Sequence, residues 1–242
     1  MKIKIYPDYP TLSRETANLI ARYIANKPNA VVCLASGNTP VQVFRYLVDD
    51  VKAGLLNLDD CTFVSLDEWV GIDKSSEGSC RNMMDRDFFH PLGIGESRII
   101  FFDAMASDPK QECDRIDRFI ASHGGLDIML VGIGLNGHIA MNEPGTSFDL
   151  YSHVTDLSEN TKEVGQKYFS KKTILSKGLT LGLRHLRESN LPILMANGQK
   201  KASIIQKALT LPPTTGIPAS VIQTIPDAMV LLDEEAGELL SK

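Results

Sequence analysis

The 242-residue chain sets 25 Lys and Arg against 30 Asp and Glu, a net charge of −5, and its basic residues are scattered apart from Lys171-Lys172 and Lys200-Lys201. That balance shows no electrostatic footprint for nucleic acid, and no apolar run is long enough to cross a bilayer, so neither nucleic acid nor a membrane is expected as a partner. The four cysteines (Cys33, Cys61, Cys80, Cys113) lack paired zinc spacing and a small disulfide-stapled context; they read as reduced thiols, with Cys33 and Cys61 buried in strands.

Residues 1-242 read as a single domain, since no linker or shift of composition divides them. Met1 to Pro7 has too short an apolar segment for a secretory signal and reads as a first strand, which leaves a cytoplasmic location as the expectation. Thr11 to Asn26 has apolar residues at helical spacing and is closed by Pro28. Ala30 to Ala35 is a continuous apolar strand. It runs into Ser36-Gly37-Asn38-Thr39-Pro40, where Thr39 suits a helix N-cap and Pro40 the first helical position, and the helix should end near Ala53 and Gly54. Thr62 to Leu66 is the next strand and delivers Asp67-Glu68-Trp69 at its carboxyl end. Ser79 to His90 reads as a helix, Ile99 to Phe102 as a strand, Pro109 to Ser122 as an amphipathic helix, and Leu126 to Val131 as a buried parallel strand. In the second half, Leu179 to Leu183 and Pro192 to Ala196 read as strands, Lys200 to Leu209 as a helix, Ala228 to Leu232 as a last strand, and a short acidic helix follows. Strands alternating with helices imply an α/β fold, a mostly parallel sheet covered by helices on both faces.

The chemistry concentrates after Val131. Gly132-Ile133-Gly134-Leu135-Asn136-Gly137-His138-Ile139-Ala140-Met141-Asn142-Glu143-Pro144 places an imidazole and a carboxylate five residues apart on a glycine-punctuated turn, at the sheet end where ligands of open α/β folds collect. His138 is a natural proton shuttle, and Glu143 could orient its ring. Asp67 and Glu68 lie at a strand end, and because neighbouring side chains alternate, only one of the two can face a cleft; that one could move a proton between adjacent sugar carbons. Ser36, Gly37, Asn38 and Thr39 join a buried strand to a helix start and form a candidate anion cradle, without the lysine of a nucleotide-binding loop. Lys167 and Lys201 are candidate phosphate-neutralising cations. Each of these features also has a plainer reading as a capped turn, a solvated acidic loop or surface lysines.

Together, Ser36 to Pro40, Leu66 to Trp69 and Gly134 to Pro144 resemble the glucosamine-6-phosphate deaminase/isomerase family in order and spacing over nearly the whole chain. Asn142-Glu143-Pro144 shortly after Gly137-His138 is the deaminase ending, which the related 6-phosphogluconolactonases lack. The resemblance implies a Rossmann-like fold and conversion of a 2-amino-2-deoxyhexose 6-phosphate to a ketohexose 6-phosphate with release of ammonia, with no metal or organic cofactor. It implies that Asp67 carries the proton between C2 and C1, that His138 opens the ring, that Glu143 supports His138, and that Ser36, Gly37, Asn38, Thr39, Lys167 and Lys201 hold the phosphate or nearby hydroxyls.

Three departures stand out. Asn136, counted with the catalytic residues, occupies a position where many members have aspartate; an amide can orient a histidine but stabilises its cation less. Lys167 stands where some members have arginine. Trp69 replaces a usual tyrosine and, with Gly78-Ser79-Cys80, is more similar to the galactosamine-6-phosphate isomerase branch; its indole would offer an apolar face and one N–H donor beside Asp67. Galactosamine 6-phosphate is accordingly favoured slightly over glucosamine 6-phosphate. The rivals are a 6-phosphogluconolactonase and a non-catalytic sugar-phosphate sensor. Self-association is left open, and the short carboxyl end is expected to lack the allosteric control of longer members.

Overall fold

The computed structural model describes residues 1–240 and begins with strand β1 (Lys2–Tyr6) and helix α1 (Tyr9–Asn26). Strand β2 (Val31–Leu34) leads to helix α2 (Val41–Lys52), and β3 (Thr62–Val64) is followed closely by a separate short strand, β4 (Asp67–Trp69). Helix α3 (Cys80–Met84) passes through a π-helical turn (Asp85–Phe89) into α4 (His90–Leu92), after which come β5 (Ile99–Ile100), α5 (Pro109–Ser122) and β6 (Ile128–Val131). The second half contains β7 (His153–Asp156), α6 (Glu159–Gly165), β8 (Lys177–Thr180), α7 (Leu183–Glu188) and β9 (Leu191–Ala196). It ends with α8 (Ala202–Thr210), β10 (Met229–Asp233) and α9 (Glu234–Gly237).

Seven strands form the main sheet in the order β1-β10-β9-β6-β2-β3-β5, every neighbouring pair parallel. Side chains alternate across a strand, so a sheet with two cores needs apolar residues at every position rather than every second one. Val32 and Leu34 of β2 and Ile128 and Leu130 of β6 pack with Ile20 of α1 and Phe44 of α2; Val31, Cys33, Met129 and Val131 pack with Ile116 of α5 and Ile205 of α8 on the opposite face. The fold is therefore the α/β arrangement read from the continuous apolar runs, with helices on both faces. All four cysteines are free and buried. Among the described residues no helix is long and apolar enough to cross a membrane.

The order of strands reverses between β2 and β6: the chain leaves β2 toward β3 on one side, whereas β6 is flanked by β9 on the other. Loops departing in opposite directions leave a crevice at the carboxyl ends of these two strands. A second sheet, β4-β8-β7, entirely antiparallel, stands beside it.

Several sequence expectations shift locally. Leu179 to Leu183 is not one strand of the main sheet: its first two residues end β8 in the antiparallel sheet, and Leu183 begins α7. A five-residue apolar run is equally compatible with a strand or a buried helix start, and only packing separates them. Thr39 does not cap α2; Pro40 is the N-cap, with helical backbone and no side-chain cap, so the helix begins one residue later. The helix expected over Ser79 to His90 is interrupted by the π turn, and of Ile99 to Phe102 only the first two residues pair. Helix α5 spans the expected residues, capped by Asp108, whose side chain accepts from the Lys110 and Gln111 N–H groups.

Candidate active site

A cavity of about 440 Å3 occupies the crevice. One wall is the loop after β2, with Ser36, Gly37, Asn38 and Thr39; the opposite wall is the turn after β6, with Gly132, Gly134 and His138. Strand β4 contributes Asp67 and Trp69, α6 contributes Asn160 and Thr161, and Lys167 and Lys201 also line the cavity. Asn136 and Glu143 do not line the cavity; they lie behind His138.

Asp67 faces the cavity and Glu68 turns away, as alternation on a strand requires. Glu68 is buried and accepts three main-chain hydrogen bonds, from the N–H groups of Trp69 (2.9 Å), Cys80 (2.9 Å) and Arg81 (2.8 Å). It thereby pins the start of α3 to β4. Burial pushes the Asp67 carboxyl up to about 6, against the opposing effects of the Cys80 thiol hydrogen bond and the charge of His138. A carboxyl poised there can both take and return a proton near neutral pH.

The turn carrying His138 is closed by the Gly134 N–H donating to the His138 carbonyl (2.9 Å). The imidazole lies against Gly134 so closely that a Cβ there would sit 2.3 Å from Nε2. Ala140, two residues on, adopts φ 54°, a left-handed conformation in which L side chains are strained and which the surrounding contacts must hold. Asn142 helps: its buried Nδ2 donates to the carbonyls of Ile139 (3.0 Å) and Leu181 (2.8 Å), stitching the turn to the end of β8.

Asn136 does not touch the imidazole. Its Oδ1 accepts from the His138 main-chain N–H (3.2 Å) and its Nδ2 donates to Glu143 Oε2 (2.9 Å). The amide therefore orients the carboxylate and the backbone rather than the ring. Glu143 also accepts from the Ser158 N–H (3.1 Å). Burial works against its ionisation, but the neighbouring His138 and Thr161 side chains and the Ser158 N–H outweigh it and lower the carboxyl to about 2. His138 Nδ1 lies 3.7 Å from Glu143 Oε2 and 3.2 Å from Thr161 Oγ1.

Lys201 Nζ donates to the Ile133 carbonyl at 2.5 Å, and burial followed by the charge of Lys167 lowers its pKa. Two ammonium groups lining one cavity can together neutralise an anion. Lys201 closes a 3-10 turn (Gln199–Lys201) and is the N-cap of α8, rather than lying within the helix. Gly37 takes φ 87°, and the Tyr168 hydroxyl would lie 3.0 Å from a Cβ at that position.

Trp69 departs from its sequence reading. Its indole is buried and lines the cavity, but its Nε1–H donates to the Gly78 carbonyl (3.2 Å), so the cavity meets the carbon face alone. Sequence reasoning missed Thr161, Cys80 and Tyr168 as lining residues. The Ser158-x-x-Thr161 spacing, a helix N-cap in which Ser158 accepts from the Thr161 N–H, was the available signal for the first. A second cavity of about 450 Å3 holds His185 and Asp117 at 2.7 Å, but the Ser152 hydroxyl contacts the same Nε2 (3.4 Å). No relay from carboxylate through the ring to a nucleophile exists there.

Residues 9–231 match the model of a family described as glucosamine-6-phosphate isomerases/6-phosphogluconolactonase. The chain belongs to this family. It is an enzyme, as its relatives are. It is 36% identical over 240 residues to a glucosamine-6-phosphate deaminase of Bacillus pumilus, covering 99% of this chain and 100% of that one. It is 37% identical over 230 residues to the deaminase of Bacillus velezensis, with 95% of each chain covered. A solved monomeric glucosamine-6-phosphate deaminase superposes with a TM-score of 0.95 at 35% identity, covering 99% of this chain and all of that one. A 6-phosphogluconolactonase from Trypanosoma brucei, at 20% identity and a TM-score of 0.81 over 99% of this chain and 98% of its own, shares the family fold.

Proposed function

We propose that the chain converts a 2-amino-2-deoxyhexose 6-phosphate to the ketohexose 6-phosphate with release of ammonia. The observation that carries the reading is the pairing of Asp67, with its carboxyl raised to about 6, and His138 on the walls of one cavity that Lys167 and Lys201 also line. In this reading His138 moves the proton that opens the sugar ring. Asp67 then takes the C2 proton and returns it to C1, which turns the C2 amine into an imine; water adds to the imine, and ammonia leaves as the ketone forms. Ser36 to Thr39, the uncapped start of α2, Lys167 and Lys201 would hold the phosphate, since the first N–H groups of a helix and two ammoniums together favour an anion. Asn136 and Glu143 act from behind His138.

The identity of the C4 epimer divides two readings. The named relatives are glucosamine-6-phosphate deaminases. The carbon face of Trp69, with its N–H spent on Gly78, offers no partner to an equatorial hydroxyl placed beside it, which favours galactosamine. The test is ammonia release from each epimer by the parent and by Trp69→Tyr, with 6-phosphogluconolactone as a third substrate. Ammonia from either aminosugar phosphate supports the reaction class; hydrolysis of the lactone with no ammonia from either sugar overturns it, and no turnover of any of the three leaves a sensor. A fixed epimer ratio in Trp69→Tyr would remove the galactosamine argument.

A further inference from the structure

The His138 imidazole in the cavity wall and the Glu143 carboxylate behind it are too far apart to bond directly. At 3.7 Å, His138 Nδ1 and Glu143 Oε2 lie beyond the roughly 2.7–3.2 Å of an N–H···O hydrogen bond. Thr161 Oγ1, at 3.2 Å from Nδ1, is within range. We propose that the Thr161 hydroxyl is a positioning residue that relays the charge of Glu143 to His138 and fixes the tautomer in which Nδ1 carries the proton and Nε2 is the base.

A threonine hydroxyl has one proton to give and two lone pairs to fill. Ser158 Oγ, which accepts from the Thr161 N–H (3.2 Å), donates its own proton to Thr161 Oγ1 (3.1 Å). One lone pair is thus taken. The remaining choice is between two arrangements: Nδ1–H donates to Thr161, whose proton then turns toward Glu143, or Thr161 donates to a bare Nδ1 and Glu143 receives nothing from it. Glu143 decides, because its carboxylate is buried and held as an acceptor by Asn136 Nδ2 and the Ser158 N–H, with the Thr161 side chain among the neighbours that favour its ionised form. An enclosed carboxylate draws a donor toward it, and the first arrangement supplies one.

The consequence falls on Nε2, which has no hydrogen-bond partner among the described residues and lies against Gly134 in the cavity wall. It presents its lone pair there. When it takes a proton, the new charge is shared through Nδ1–H and the Thr161 hydroxyl with Glu143. Thr161 and Ser158 also tie this relay to α6, whose Asn160 and Val164 line the same cavity.

The role in ring opening rests on the proposed function; the tautomer does not, so the experiment separates the two. Nitrogen NMR of the His138 ring in the ligand-free protein, at a pH where the ring is neutral, should show Nε2 bare and Nδ1 protonated, and Thr161→Val should mix the tautomers. With ring-closed aminosugar phosphate, Thr161→Val should lower kcat by ~10- to 100-fold with KM within about threefold, while an open-chain analogue should lose far less. Thr161→Ser, which keeps the hydroxyl, should recover most of both effects. A parent ring protonated on Nε2 overturns the relay without any variant being made. So does a Thr161→Val protein whose tautomer matches the parent. Loss on ring-closed and open-chain substrates alike overturns the role in ring opening.

Discussion

The contact between His138 and Gly134 allows the imidazole to be displaced without altering any charge. In Gly134→Ala the new Cβ would lie 2.3 Å from Nε2, 2.4 Å from Cδ2 and 2.7 Å from Cε1. Carbon and nitrogen in ordinary contact sit about 3.5 Å apart, so the ring must retreat by roughly 1.2 Å or the Gly134–His138 turn must open. Gly134 is not among the residues with positive φ, so the alanine backbone itself is tolerated and the cost arises from the ring. A displacement of about 1 Å of a catalytic group costs ~10²-fold in rate, or about 2.7 kcal/mol of barrier. Overpacking adds about 1–3 kcal/mol of lost stability, a fall in Tm of roughly 2–12 °C for a chain of this length. The assay is ammonia release, giving kcat/KM for Gly134→Ala, His138→Gln and the double variant. If the alanine acts through the ring, adding it to His138→Gln should cost little more, because the group it displaces is already gone. Parental kcat/KM in Gly134→Ala, or full additivity in the double variant, would refute the reasoning.

Asp67→Asn should lose ~10²–10⁴-fold in kcat while remaining folded. The same change should stabilise the protein at neutral pH. The folded carboxyl titrates at about 6 against an ordinary aspartate value of 3.8, so the native state holds the extra proton between those values and stability falls as pH rises through them. At 1.36 kcal/mol per unit, removing that cost is worth up to ~3 kcal/mol at pH 7.5 and nothing below pH ~3.5, which denaturant titrations at the two pH values would read. A gain equal at both would refute the assignment to Asp67, and parental ammonia release would remove it as the base. Lys201→Met should raise KM at least tenfold with kcat within about threefold and abolish competition by inorganic phosphate; an unchanged inhibition constant for phosphate would place the anion elsewhere.

Local sequence determined a good deal of this protein. Val31–Leu34 and Ile128–Val131 are apolar at every position, and such runs read as strands because a sheet covered on both faces has no solvent side to alternate toward. Helix α5 was readable for a similar reason, its cap and its apolar spacing lying within a single segment. The contacts among Asn136, His138 and Glu143 span eight residues, so one glycine-rich turn could bring them together whatever the rest of the chain did. Tertiary structure alone decided the remainder. Asp67 belongs to a strand of an antiparallel second sheet because β8 pairs with it from more than 100 residues away, and periodicity specifies the face of a strand but not its partner. The Trp69 N–H is bound to the Gly78 carbonyl nine residues on, and the His138 ring is reached by Thr161 at 3.2 Å rather than directly by Glu143 at 3.7 Å; which partner each group meets is settled only in the packed chain.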